Sequence, residues 1–75
     1  MNPIDYLGIL RAAVAQKLVS VSHLARSARM DRPHVHRIIH EYPHPSYDTV
    51  MSLYEALSRL LDERVLEELI SGDSE

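Results

Sequence analysis

Apolar residues recur every three or four positions along most of this chain, and short polar or proline-containing breaks separate the stretches in which they do so. This period is typical of amphipathic helices, because it places the apolar side chains on one face. The breaks divide the chain into five such stretches, at about residues 3–16, 21–28, 32–40, 47–60 and 63–70. The pattern therefore predicts an all-α domain of five helices.

Side chains that favour the start of a helix stand at the breaks between these stretches. The first four stretches each follow a residue whose side-chain oxygen can accept a hydrogen bond from the first turn: Asn2, Ser20, Asp31 and Ser46. Pro3 and Pro33 fall in first turns, where the N–H that proline lacks has no partner within the helix. The first four helices are therefore predicted to begin directly after these capping residues.

The later boundaries depend on different signals. Tyr42 precedes Pro43, which disfavours helical backbone at Tyr42 and ends the third helix just before it. Asp62 is suited to cap a separate fifth helix; the alternative is that the fourth helix continues straight through it. One domain is expected over residues 1–70, followed by a disordered polar tail over residues 71–75.

The third predicted helix divides its residues clearly between two faces. Val35, Ile38 and Ile39 are spaced to meet a core. The polar positions carry cationic or imidazole side chains: Arg32, His34, His36, Arg37 and His40. A helix of this kind buries one side and offers the other to an anionic partner.

The composition fits one small domain with a core. The chain has 75 residues, of which 45% are hydrophobic, so it is too short for a second core and too apolar for a disordered segment. Its net charge of −3 is unevenly distributed. Residues 1–45 hold six basic groups, three acidic groups and all five histidines, whereas residues 46–75 hold two basic and eight acidic groups. Because a binding surface responds to local charge, the first part remains suited to a polyanion.

Several function classes lack the residues that they need. The chain has no Cys, which excludes disulfides and thiolate metal sites and fits the reducing cytoplasm. No apolar run approaches the ~20 residues that cross a bilayer, and the first ten residues contain no basic group of the kind that begins a signal peptide. No nucleophile, base and orienting carboxylate are spaced as a catalytic set, and there is no glycine-rich phosphate loop. We therefore expect a cytoplasmic protein that is not an enzyme, uses no cofactor and does not bind membranes.

Apolar, small and capping residues follow a fixed register through the middle of the chain. It runs S-x3-L-A-x4-M from Ser20, then a cap at Asp31, V-x2-I from Val35, and P-S-x2-T-V-x5-A-L from Pro45. Over residues 4 to about 60, this register resembles the Cro/phage-repressor family, the small helix-turn-helix regulators related to lambda repressor. The resemblance implies a small five-helix, lambda-repressor-like helix-turn-helix domain. It also implies a sequence-specific transcriptional regulator, a bacterial or phage repressor that binds a palindromic operator in double-stranded DNA as a homodimer.

The resemblance assigns roles to individual side chains. With residues 32–40 as the recognition helix, the positions that face bases are Arg32, Pro33, His34, His36 and Arg37. The positions that face the DNA backbone are Lys17, Ser22, Arg26, His40, His44 and Ser46. Arg29 stands in the turn where the family often has glycine, so we expect a positive φ there. The alternative to a DNA interface is an ordinary solvated helix face, since charged side chains are mostly exposed.

Two of the histidines have a spacing that also occurs in metal sites. His36 and His40 are four residues apart on a predicted helix, which brings their side chains to one face. With no Cys and with Glu41 as the only nearby carboxylate, a closed four-ligand site is not expected. We therefore predict no structural metal site, and metal binding only as an accidental nickel or zinc site at high metal concentration.

The last predicted helix is both acidic and apolar. Its apolar residues exceed what the edge of so small a monomer needs: Leu61, Val65, Leu66, Leu69 and Ile70. We expect them to form the interface of a symmetric dimer, with two recognition helices ~34 Å apart on successive major grooves. The alternative is that they close the core of their own chain. A different function is also compatible with this helix: an antitoxin or anti-activator, whose acidic helix engages another protein.

Overall fold

Five helices and no strand make up the part of the chain that the computed structural model describes, residues 5–72. They are α1 (Tyr6–Ala15), α2 (Val21–Ala28), α3 (Arg32–His40), α4 (Tyr47–Leu60) and α5 (Glu63–Gly72). The prediction of an all-α domain with five helices is confirmed. Within this range, no helix combines the length and the apolar character that crossing a lipid bilayer requires.

The boundaries of α1 and α5 differ from the predicted ones. Asp5 caps α1, because its carboxylate accepts a hydrogen bond of 2.9 Å from the backbone N–H of Gly8. The predicted cap Asn2 and the predicted first residue Pro3 lie outside the described residues. At the other end, α5 continues to Gly72, so the first two residues of the predicted tail are helical, and residues 73–75 lie outside the described range.

A break separates α4 from α5. Leu61 has extended backbone, with φ −108° and ψ 148°, and ends the hydrogen-bonded pattern of α4. The next residue, Asp62, accepts a hydrogen bond of 2.8 Å from the backbone N–H of Arg64. The interpretation in which α4 runs through this point as one long helix is therefore wrong.

The predicted serine caps are formed, and the cap predicted at Asp31 is not. Ser20 accepts a hydrogen bond from the N–H of His23 at 3.1 Å, and Ser46 accepts one from Thr49 at 3.4 Å. Asp31 occupies the N-cap position of α3 with extended backbone, but its side chain makes no capping hydrogen bond. Pro33 explains part of this difference, because it removes one of the two N–H groups that an N-cap side chain normally reaches.

The core lies among the first four helices: α4 packs on α1 and α2, and α3 packs on the same two helices. The most extensive helix pair is α2 with α4, and α1 contacts α3, α4 and α5. The largest fully buried side chains come from these first four helices: Ile9, Leu10, Leu24, Val35, Ile38, Leu53 and Leu57. Small residues, Ala13, Ala25 and Ala56, are also buried, which allows the helix backbones to approach closely.

Both α1 and α2 end in a Schellman motif whose left-handed residue is not glycine. After α2, Arg29 has φ 58°, and the N–H of Met30 donates to the carbonyl of Ala25 at 2.9 Å. After α1, Lys17 has φ 61° in the equivalent position. Met30 is partly buried against the core, as its place after the left-handed residue favours. The positive φ predicted for Arg29 is confirmed, and it orients α3 relative to α2.

Arg29→Gly is expected to stabilise the fold by about 0.5–1 kcal/mol. Left-handed backbone costs a residue with a Cβ about 1–2 kcal/mol, and glycine avoids that cost while losing more chain entropy on folding. The Arg29 side chain is exposed and makes no hydrogen bond that the substitution would remove. Urea denaturation followed by far-UV circular dichroism measures the change.

Arg26→Gly is the matched control, since it removes the same charge from the last turn of α2 without relieving a left-handed residue. It is expected to destabilise the domain by about 1 kcal/mol. A variant Arg29→Gly that is no more stable than the original chain would contradict the prediction.

Candidate nucleic-acid interface

One side of α3 is exposed and carries all the side chains that were predicted to face bases. These exposed residues are Arg32, Pro33, His34, His36 and Arg37, and His40 follows them in the last turn. Val35, Ile38 and Ile39 are buried on the other side, with at most 3% of their surface exposed. The period of the helix thus separates a packing face from an outer face without mixing the two sets.

The described residues do not neutralise the positive charge on this surface. In residues 5–72, the side chains of Lys17, Arg26 and Arg37 form no ion pair and no hydrogen bond. Asp31 and Glu41 flank the two ends of α3, and both are exposed without pairing to an arginine. The charge of these basic groups is therefore available to an anionic partner.

Arg32 is held by a contact between α2 and α3. Its Nε donates a hydrogen bond of 2.9 Å to Oγ of Ser22, which lies in the first turn of α2. The two terminal nitrogens of the guanidinium make no hydrogen bond with the described residues. One residue predicted to contact the DNA backbone, Ser22, thereby fixes the position of one predicted to contact bases.

An open groove connects these residues to the end of α1. Polar and basic side chains on its walls come from the α1–α2 loop, from the start of α2 and from α3: Lys17, Ser20, Ser22, His23, Arg32 and His36. The groove brings together Lys17 and Ser22, predicted to contact the backbone, with Arg32 and His36, predicted to contact bases. His23, which was not among the predicted site residues, lies beside them, and its exposed position at the start of α2 was the available signal.

The connector between α3 and α4 does not line this groove. His44 contributes instead to a second hollow, together with Tyr6, Pro43 and Tyr47. The Ser46 hydroxyl is already engaged in capping α4, because it accepts from the Thr49 N–H and donates to Oγ1 of Thr49 at 2.7 Å. Among the predicted backbone contacts, His44 and Ser46 therefore stand apart from Lys17 and Ser22.

Two arginines that add to the charge of the chain serve to hold helices together. Arg11 donates from Nε to the carbonyl of Ile39 and from Nη2 to the carbonyl of Tyr42, both at 2.8 Å. Arg59 donates from Nη2 to the carbonyl of Ser27 at 3.0 Å. These carbonyls lie near the ends of α3 and α2, where helices leave acceptors unsatisfied and favour cations. The partners are 28 to 32 residues apart, so the pattern along the chain carried no signal for them.

The imidazole rings of His36 and His40 form a close pair on the exposed side of α3. Their ring centroids are 4.5 Å apart, and the ring planes are inclined by 47°. Three or more metal-ligating side chains do not come together anywhere in the described part of the chain. A metal ion at this pair would therefore have two protein ligands.

The apolar residues of the predicted dimer interface pack largely within their own chain. Leu69 is buried in the core, with 7% of its surface exposed, and Leu61, Leu66 and Ile70 are partly buried against the same core. Val65 lines an open groove between α1 and α5 beside the exposed Leu18. Most of these apolar residues therefore close the core of their own chain, as the alternative predicted. The dimer interface stays a prediction, and it concerns the apolar surface that remains accessible in the groove with Val65 and Leu18.

The balance of charge differs between the segment from α2 to α3 and α5. The segment from α2 to α3 contains four arginines and only one acidic residue, Asp31, whereas α5 exposes Glu63, Glu67 and Glu68.

Tyr54 packs edge-on to Tyr6, with ring centroids 4.7 Å apart. Burial, together with the Tyr6 hydroxyl, raises the pKa of Tyr54. That shift belongs to the packing of α1 on α4.

The arrangement can present cations and hydrogen-bond donors on a convex helix face backed by a packed core. The assignment of this surface depends on its own geometry and charge, because a scan of protein-family models and searches of curated proteins and solved structures find no match to this chain.

Proposed function

We propose that this protein binds double-stranded DNA sequence-specifically through α3 and acts as a small transcriptional regulator. The observation that carries the proposal is the division of α3, which buries Val35, Ile38 and Ile39 and exposes a row of basic, imidazole and proline side chains. An α-helix with its side chains is about 10–12 Å wide, and the major groove of B-DNA is about 12 Å wide. A supported helix with this outer face matches the shape and the charge of that groove.

Arg32 and Arg37 are the proposed base readers. A guanidinium donates two parallel hydrogen bonds to O6 and N7 of guanine, which is the commonest specific contact in the major groove. Arg32 donates to Ser22 through Nε, which leaves its terminal nitrogens to make such contacts, and Arg37 is unpaired within the described residues. Pro33 offers an apolar surface to a thymine methyl group, and His34 and His36 add donors or acceptors beside it.

Phosphate contacts would hold α3 in register without reading sequence. Lys17 and Ser22 lie on the same groove as Arg32, and Arg26 is exposed in the last turn of α2. The first turn of α2 also has backbone N–H groups without helical partners, which favour anions. We propose that these groups contact the phosphates of the DNA strand that would pass beside α3 on its α2 side.

Two copies of the chain would read the two halves of a palindromic operator. The exposed part of the groove between α1 and α5, with Val65 and Leu18, is the proposed contact between them. Such a dimer would place its two α3 helices about 34 Å apart, one turn of B-DNA. The register from Ser20 to Leu57 resembles that of the Cro/phage-repressor family and supports a repressor of this kind in a bacterium or a phage.

A second candidate function is suggested by the acidic helix. Glu63, Glu67 and Glu68 are exposed on α5, and Glu68 lies beside the apolar groove that contains Leu18. This surface fits a basic and apolar segment of another protein, as in an antitoxin or anti-activator. The two functions differ in which side of the domain a partner would cover, α2 and α3 or α1 and α5.

The direct test is a selection of bound duplexes from a random library with the purified chain, followed by titration of the enriched duplex. We expect an enriched palindrome, and an affinity that falls steeply with salt. If four basic side chains meet phosphates, the logarithm of the binding constant falls with a slope of about −3.6 against the logarithm of salt concentration. Enrichment of no sequence, together with weak binding at 50 mM salt, would contradict the proposal and favour a protein partner.

A further inference from the structure

His36 and His40 bring two metal-ligating side chains close together on the surface of α3. They occupy successive turns of α3, both are exposed, and their ring centroids are 4.5 Å apart. Zinc–nitrogen bonds of about 2.0–2.1 Å place two imidazoles on one ion with centroids about 4.5–5.3 Å apart, for bond angles between a right angle and a tetrahedral one. The observed separation lies at the lower end of this range, so two exposed side chains need only a small adjustment to share an ion.

We infer that His36 and His40 form a two-imidazole chelating site for a divalent transition-metal ion. Each ring supplies one nitrogen, and water fills the remaining positions, because the described residues provide no third ligand at this place. Imidazole is a ligand for Cu²⁺, Ni²⁺ and Zn²⁺, whereas Mg²⁺ and Ca²⁺ prefer oxygen. The inference concerns the surface of α3 alone and does not depend on the proposed binding of DNA.

The helix supplies the preorganisation that a pair of loop histidines would lack. Both residues belong to a regular helix whose opposite face is anchored by Val35, Ile38 and Ile39. Once the first imidazole binds an ion, the second binds intramolecularly, which raises the affinity ~10²-fold or more over a single imidazole. The unpaired Arg37 lies between the two histidines in sequence and opposes a dication, so binding weaker than that of a closed four-ligand site is expected.

Ion binding would also stabilise α3. An ion that bridges residues i and i+4 is formed only when the intervening turn is helical, so it stabilises the folded state over the unfolded one. The melting temperature of the whole domain therefore rises with the concentration of Cu²⁺, Ni²⁺ or Zn²⁺ and does not respond to Mg²⁺. Following the Irving–Williams order, Cu²⁺ should bind more tightly than Ni²⁺.

The test uses the full chain and isothermal titration with NiCl₂ and ZnCl₂, with thermal melts followed by circular dichroism. His36→Gln and His40→Gln should each lower the affinity ~10²-fold and abolish the metal-dependent rise in melting temperature. His34→Gln is the control on the same helix, and His44→Gln tests a pair of His40 with the connector. Both controls should bind one ion per chain as the original protein does.

Several results would overturn the inference. One is a chain that binds no ion saturably, and another is a His36→Gln variant that binds as tightly as the original chain. Equal loss in His44→Gln would move the site to the connector, and equal loss in His34→Gln would mean diffuse binding by the whole histidine cluster. Because all four positions are exposed, the metal-free melts of the variants should stay close to that of the original chain, which separates lost binding from lost folding.

Discussion

Replacement of both Arg32 and Arg37 by alanine is expected to abolish specific duplex binding while leaving the fold intact. A bidentate contact from arginine to guanine contributes about 1–3 kcal/mol of discrimination, so losing two costs about 2–6 kcal/mol, or ~30-fold to ~10⁴-fold in affinity. Both side chains are exposed, and neither forms an ion pair in the described part of the chain. The exposed hydrogen bond from Arg32 to Ser22 is lost, so the stability should fall by no more than about 1 kcal/mol. Fluorescence anisotropy with the enriched duplex and with a scrambled one measures the affinity and the discrimination between sequences. Urea denaturation measures the stability.

Two single variants separate base reading from general electrostatics. Arg26→Ala should weaken binding to the enriched and the scrambled duplex alike and reduce the salt slope by about 1, since its proposed contact is a phosphate. Arg64→Ala removes the same charge from α5, which is not part of the proposed DNA interface, and should have little effect. If the double variant bound the enriched duplex as tightly as the original chain, α3 would not be the reading helix. A protein partner that still binds the double variant would support the alternative on α5.

Leu53→Ala is expected to cost about 3–5 kcal/mol and to leave much of the population unfolded at 37 °C. Leu53 is fully buried in α4, the helix that packs most extensively on α2, so truncation removes apolar contacts and leaves a cavity. At about 0.05–0.15 kcal/mol per residue, a chain of this length has a total stability of about 4–11 kcal/mol. The loss is therefore a large fraction of the whole.

The matched control is Leu60→Ala, which makes the same substitution in the same helix at a side chain that is 43% exposed. It should cost less than about 1 kcal/mol, because little apolar surface is lost and alanine favours helix. Urea denaturation by circular dichroism compares the two variants. Equal destabilisation by both would mean that Leu53 is not central to the core.

The sequence predicted helices best where their boundaries depend on neighbouring residues. Ser20 and Ser46 cap their helices locally, and α2, α3 and α4 have the predicted ranges. Asp31 shows the limit of this reasoning, since the right residue stands at the N-cap but Pro33 leaves it one N–H fewer to bond. The end of α5 was missed because a polar composition near a terminus does not exclude another half turn of helix.

The sequence predicted which residues belong to the candidate interface, but not the contacts that hold them in place. The period of 3.6 residues assigns Arg32, His36 and Arg37 to the outside of α3 as soon as the helix is predicted. The contact of Ser22 with Arg32 and the bonds from Arg11 join residues far apart in sequence, and only the folded chain brings them together. Charge counting treated Arg11 as one more cation of the basic half, whereas its guanidinium is engaged with carbonyls.

The stripe on α5 shows why apolar spacing alone does not distinguish a core from an interface. Both require the same periodic face, and the sequence does not state which surface covers it. In the folded chain, Leu69 is buried against the core, whereas Val65 lines an open groove with Leu18. The oligomeric state measured by light scattering decides whether that remaining area joins two copies.

Arg11 has a consequence for how this domain can change. Its guanidinium donates hydrogen bonds to the carbonyls of Ile39 and Tyr42 at the end of α3. Main-chain carbonyls are present whatever side chains those positions carry. The outward residues of α3 can therefore be exchanged, by evolution or by design, without removing the hydrogen bonds that hold α3 against α1. A library randomised at those positions should consist largely of folded proteins that differ in what they recognise.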